Sequence, residues 1–158
     1  SAMAKKLTGF DVRILAYDRY KTGFGNEFVE EADFKLLLQE SDIVSLHVPL
    51  TPETRNFLTL EVLKKFRKPI YLINTARGEI ISFETLNQAL DLGILKGAVL
   101  DVLENEKFTT FTVDQKAEFS KLATRDNVIF SPHIAGWTHQ SYVKINKVLV
   151  DKIRQSLK

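Results

Sequence analysis

Polar and apolar positions follow two alternating rhythms along this chain. Short continuous apolar runs, as in buried strands, are separated by stretches with apolar residues three and four apart, as in helices. Residues 1–7 place Met3, Ala4 and Leu7 at helical spacing, and residues 12–17 (VRILAY) form an apolar strand. A helix is predicted over 33–39, closed by Ser41 and Asp42, and a strand over 43–46. Thr59 is placed to cap a helix over 59–66, and residues 70–73 form the next strand. Ser82 is placed to cap a helix over 82–92, which Gly93 stops. Residues 97–100 make a strand ending at Asp101, and 128–130 the last one. Residues 104–127 read as irregular, with Phe108, Phe111 and Phe119 expected to pack on the body rather than hold a ligand. A long helix is predicted over 138–157.

Strands that are short, apolar and separated by helices imply an α/β fold with a parallel sheet covered on both faces. The expected architecture is a Rossmann-type doubly wound sheet in one domain over 1–158, its final helix starting at 138. In such sheets ligands bind beyond the carboxyl ends of the strands. Asp18, His47, the run Asn74 to Arg77, Asp101 and His133 all fall just after predicted strands.

Composition narrows the function classes. The net charge of +2 gives no argument for nucleic acid or a membrane surface. The basic run Lys64, Lys65, Arg67 and Lys68 suits a solvated helix end. Cysteine is absent, which removes disulfide and thiolate chemistry and points to a reducing, cytoplasmic setting. No apolar run is long enough to span a bilayer, and no metal-ligand spacing occurs.

Several strand-end residues suit defined chemistry. A carboxylate after the second strand of a dinucleotide fold, here Asp18, accepts ribose hydroxyls and disfavours a 2′-phosphate. Arg19 beside it works against that preference, and Asp18 reads equally well as an Asx turn. Arg77, followed by Gly78, offers a two-pronged donor for a carboxylate, or a surface salt bridge. His133, between Pro132 and Ile134, is the natural acid/base, with Glu106 available to orient it. His139 reads as a surface residue of the last helix.

Taken in order, NTARG, LDVLENE and PHIAG resemble the signature of the D-2-hydroxyacid dehydrogenase family, over nearly the whole chain. Within it the chain is most similar to D-3-phosphoglycerate dehydrogenase-like members. The resemblance implies NAD as cofactor and a 2-hydroxy or 2-keto acid as substrate. It implies Arg77 on the substrate carboxylate, His133 as proton carrier and Glu106 as its partner. It also implies cofactor contacts from Asp18, from His47, Val48 and Pro49 with Thr54 further on, from Asn74, Thr75 and Ala76, and from Asp101, Ala135 and Gly136. A homodimer is expected. Lys107 stands where the family often has proline, and Trp137 where it often has a small polar residue. A second reading, an NAD-sensing corepressor that keeps these residues, is not separated from the enzyme by the motifs.

No GxGxxG is present, although the helix that should follow it is. The sheet is therefore expected to lack its first strand, its glycine loop and the preceding substrate domain. Counting the five predicted strands as second to sixth, the second and fourth would face each other across a gap, filled by the missing part of the same protein or by dimerisation. A piece of this kind is expected to be inactive alone.

Overall fold

Helices begin where side chains satisfy their free backbone N–H groups. Asp33, Thr59, Ser82, Thr112 and Thr138 each accept from the N–H three residues ahead, at 2.7 to 3.3 Å. The computed structural model describes residues 2–157. Its elements are α1 (Ala2–Leu7), β1 (Leu15–Ala16), β2 (Glu30–Glu31), α2 (Phe34–Glu40), β3 (Ile43–Leu46) and α3 (Leu60–Leu63). They continue with β4 (Ile70–Asn74), α4 (Phe83–Asp91), β5 (Leu95–Leu100), α5 (Val113–Ala123), β6 (Val128–Phe130) and α6 (His139–Ser156).

Strands β3, β4, β5 and β6 form one parallel sheet in that order. Parallel neighbours require a crossover between them, and helices supply it. The core lies between this sheet and the helices, around Leu63, Ile70, Leu72, Phe83, Leu95 and Leu100, all fully buried. Helix α4 turns Phe83, Leu86, Ala89 and Leu90 inward, and Gly93, at φ +68°, ends it as expected. Gly97 in β5 leaves no room for a side chain, since a Cβ would lie 2.6 Å from the Asn127 carbonyl.

Three expectations are corrected. Residues 104–127 are not wholly irregular, because α5 occupies their centre, opened by a capping box between Thr112 and Gln115. The aromatic packing in that stretch is as expected, with Phe119 against Phe83 and Phe130 at 5.6 and 5.7 Å. The run 12–17 is laddered only at Leu15–Ala16, and its partner β2 was not foreseen. Glu30 and Glu31 are exposed and carry no apolar signal; the Glu30 N–H to Ile14 carbonyl bond, 2.9 Å, holds them in place. The extra strand shifts the count. Strands β1 and β2 form a separate two-stranded sheet, and the larger sheet begins at β3, so β3 and not β4 is its edge strand at that end; β4 is paired on both sides.

Candidate active site

The turns that leave β4, β5 and β6 sit side by side at the carboxyl end of the larger sheet. Asn74, the last residue of β4, is fully buried. Its Oδ1 accepts Ala76 N at 3.1 Å and its Nδ2 donates to the Arg77 carbonyl at 3.0 Å. This pair of bonds shapes the turn that turns Arg77 outward. Arg77 is exposed and donates from Nη1 to the Ala76 carbonyl at 2.6 Å. Among the described residues it joins no ion pair, so the surface salt bridge open to it in the sequence is not made. Gly78 then presses on the Leu103–Glu104 peptide, where a Cβ would lie 1.8 Å from the Leu103 oxygen. Only glycine allows that approach, which seats the Arg77 turn against the segment after β5.

Asp101 ends that strand and is 3% exposed. Its Oδ1 accepts Ser131 Oγ at 2.5 Å and Ile134 N at 2.9 Å, and its Oδ2 accepts Ala135 N at 2.9 Å. Burial pushes this carboxyl up, but the Ser131, Ala135 and Ile134 donors together hold it below the usual aspartate range. The loop 131–135 is thus wrapped around one carboxylate. At its centre His133 has φ +54°, a left-handed conformation unfavourable for a residue with a Cβ. Its Nδ1 lies 2.9 Å from Glu106 Oε1 and 3.1 Å from Oε2. That contact places the neutral ring's proton on Nδ1 and leaves Nε2 free to exchange a proton. His133 and Glu106 are each about half exposed, at 48% and 47%.

The other end of the row follows β1 and β3. Asp18 Oδ1 accepts the N–H groups of Tyr20 and Lys21 at 2.9 and 3.0 Å, the Asx turn that was one of its two readings. Those two N–H groups lower its pKa. Oδ2 has no protein partner among the described hydrogen bonds, so the same carboxylate retains an acceptor for a ribose. Arg19 points to Glu53, 3.6 Å away, which also accepts the Tyr20 hydroxyl. Thr54 Oγ1 donates to the Pro49 carbonyl at 2.7 Å and shapes the turn below it. His47 is exposed, with Nε2 3.0 Å from Ser45 Oγ, and Val48 is exposed beside it. Lys107 makes no ion pair with Glu106 among the described residues; its N–H donates to Asn105 Oδ1 at 3.0 Å, a bond that a proline at this position could not make. Trp137 is exposed and stands edge-on to Tyr142, 6.4 Å between centroids.

Residues 1–135 match the family described as D-isomer specific 2-hydroxyacid dehydrogenase, NAD binding domain. The chain belongs to this family. It is 44% identical over 140 residues to a glyoxylate reductase of Thermofilum pendens, covering 87% of this chain and 39% of the relative. It superposes on a D-isomer specific 2-hydroxyacid dehydrogenase of Lactobacillus delbrueckii ssp. bulgaricus, in an NAD-complexed form, with TM-score 0.83 and 34% identity. That match covers 98% of this chain and 49% of the other. A D-lactate dehydrogenase of Aquifex aeolicus with NAD and lactic acid gives TM-score 0.80 at 32% identity, over 98% of this chain and 49% of that one. The chain thus spans about half the length of the relatives it matches. The cofactor of this domain is NAD. The expected likeness to phosphoglycerate-type members finds no support in relatives named for glyoxylate and D-lactate.

Sequence reasoning missed the residues that shape these turns. Glu104 lies inside LDVLENE and Ser131 directly precedes PHIAG, but nothing in a linear motif tells that their oxygens face inward. Among the described residues no group of acidic or histidine side chains is arranged to hold a metal, and no helix is long and apolar enough to cross a membrane.

Proposed function

We propose that the whole protein is an NAD-dependent oxidoreductase acting between a D-2-hydroxy acid and the matching 2-oxo acid, of the size of glyoxylate or lactate. The observation that carries this reading is the His133–Glu106 pair, its Glu106 on a segment packed against the turn that presents Arg77, which is exposed and has no ion-pair partner among the described residues. Asp18 fits the adenosine ribose, and Thr75, Ala76, Ala135 and Gly136 line the turns on the nicotinamide side, with Asn74 and Asp101 holding those turns from beneath. When bound, NAD supplies the hydride acceptor or donor at the substrate's C2. Arg77 holds the substrate carboxylate through its guanidinium. His133 Nε2 delivers a proton to the carbonyl oxygen in reduction and takes it back in oxidation, while Glu106 stabilises the charged ring.

The half-exposed His133 and Glu106 need a second wall to exclude water. That wall comes from the rest of the protein or from a partner copy, and this chain by itself binds cofactor without turnover.

The test is an NADH titration followed by the emission of Trp137, the single tryptophan, and an NADH-consumption assay on glyoxylate, hydroxypyruvate and pyruvate with the whole protein. Saturable quenching with turnover that His133→Gln abolishes is the expected result. Quenching with no turnover on any 2-oxo acid would favour the NAD-sensing alternative.

A further inference from the structure

Among the described residues nothing fixes Glu106 directly, for its carboxylate meets only His133. The fixing is done two residues earlier. Glu104 is partly buried and both of its oxygens are engaged. Oε2 accepts the backbone N–H of Phe83 at 2.8 Å, and Oε1 accepts Gln115 Nε2 at 3.2 Å. Phe83 opens α4, so its N–H is one of those the helix leaves unpaired, at the end where a negative charge is favoured. Gln115 closes the capping box of α5. The Leu103–Glu104 peptide also lies against Gly78, the residue after Arg77. The segment is therefore pinned at Glu104 to the starts of two helices and to the Arg77 turn. Only Asn105 separates this anchor from Glu106. Asn105 is itself held, with Nδ2 donating to Thr110 Oγ1 at 3.1 Å and Oδ1 accepting Lys107 N at 3.0 Å.

We infer that Glu104 is a positioning residue for the acid–base pair. It places the Glu106 carboxylate against Nδ1 of His133 and so keeps Nε2 bare on the side of the reacting groups. It touches neither His133 nor Glu106 side chains. The inference rests on the proposed roles of Glu106 and His133, and it accounts for two acids two residues apart having different work. A residue that only capped α4 would affect the stability of that helix and leave the imidazole unchanged.

The two roles separate in the ¹⁵N signals of the His133 ring, which distinguish a proton on Nδ1 from one on Nε2. The chain has three histidines, and His133→Gln identifies the relevant signals by their loss. Spectra are taken at about pH 9, well above the ordinary histidine range. The unsubstituted protein is expected to show the Nδ1–H pattern, and Glu106→Ala to lose it. Glu104→Ala is expected to move the His133 signals onto those of Glu106→Ala. So is Glu104→Asp, which keeps the charge and is the variant to read if Glu104→Ala does not fold, because it is one methylene short of Phe83 N. Glu104→Gln, which still offers an oxygen to that N–H, is expected to restore the original pattern. An unchanged Nδ1–H pattern in folded Glu104→Asp overturns the inference, and so does a Glu104→Gln pattern matching Glu106→Ala. The reading needs no turnover. Its failure leaves the oxidoreductase proposal standing, and an inactive protein with the expected ring signals counts against that proposal alone.

Discussion

At the scale of single residues, this site is built by oxygens that face inward so that other groups can face outward. His133 sits in a left-handed conformation that costs of the order of 1–3 kcal/mol, and three donors on Asp101 hold the loop that imposes it. The Asp101 carboxyl is held below the ordinary aspartate value of 3.8. Its stabilisation is therefore complete above that value and is lost as the pH falls through the lower folded value. Melting temperatures of the unsubstituted protein and Asp101→Asn, followed from about pH 6 to about pH 3, are expected to differ most at the upper end and to converge at the lower. A constant difference would show that the carboxylate charge does not hold the loop. Arg77 belongs to the same scale. Arg77→Lys keeps the charge and loses the fork, so kcat/KM in the whole protein should fall about ten- to a hundredfold, the worth of a charged hydrogen bond at about 1.5–3 kcal/mol. Steady-state kinetics on pyruvate or glyoxylate would check it; an unchanged value removes Arg77 from the carboxylate. The three chemical groups were legible in the sequence because their residue types and order are informative. The role of Asp101 in holding the loop was not, because its donors lie thirty and more residues away and only the fold brings them in.

At the scale of elements, the caps were the most legible feature. Thr59 and Ser82 open their helices as the sequence predicts, and Gly93 closes one. Helix α5 was not legible from periodicity, since a single residue of it, Leu122, is fully buried. The signal it did carry was Thr112 followed three residues later by Gln115, the capping-box spacing. Strand β2 had no signal of any kind, as two exposed glutamates carry neither alternation nor an apolar run. What joins α4 to α5 is polar as well as aromatic. Asn87, 1% exposed, donates to the Glu118 carbonyl and carboxylate at 2.9 and 2.6 Å and accepts Arg125 Nε at 3.0 Å. Arg125 and Lys121 both reach Asp91 at 2.6 Å. Removing the Asn87 amide leaves buried groups without partners, so Asn87→Ala should cost about 1–3 kcal/mol in chemical unfolding. Glu106 and His133 lie outside that network, so cofactor affinity should be preserved in the same variant. A loss below a few tenths of a kcal/mol would mean that the aromatic contacts alone join the two helices.

At the scale of the whole molecule, the candidate site draws on two sheets that share no backbone pairing. Asp18 follows β1 in the small sheet, whereas Arg77, Glu106 and His133 follow β4, β5 and β6 in the larger one. Tyr20 and Arg19 reach Glu53 from the first set of turns to the turn after β3, and Tyr17 and Phe57 both stack on Phe34 of α2, at 5.5 and 5.7 Å. Surface ion pairs of this kind contribute little, so the small sheet is expected to be held less firmly than the larger one. Amide hydrogen exchange should show it directly. The amides of β4 and β5, paired on both sides, are expected to exchange slowest, and those of β1 and β2 much faster. NAD held at both ends would join the two sheets through one ligand, adding about 2.7 kcal/mol at a hundredfold excess over Kd. That gain should appear as slower exchange at residues 14–21 as well as at 74–77 and 131–137. Protection confined to 74–77 and 131–137 would mean that the nicotinamide end alone is held and that Asp18 serves only its turn. Protection at both places would establish that the cofactor is part of what holds the domain together.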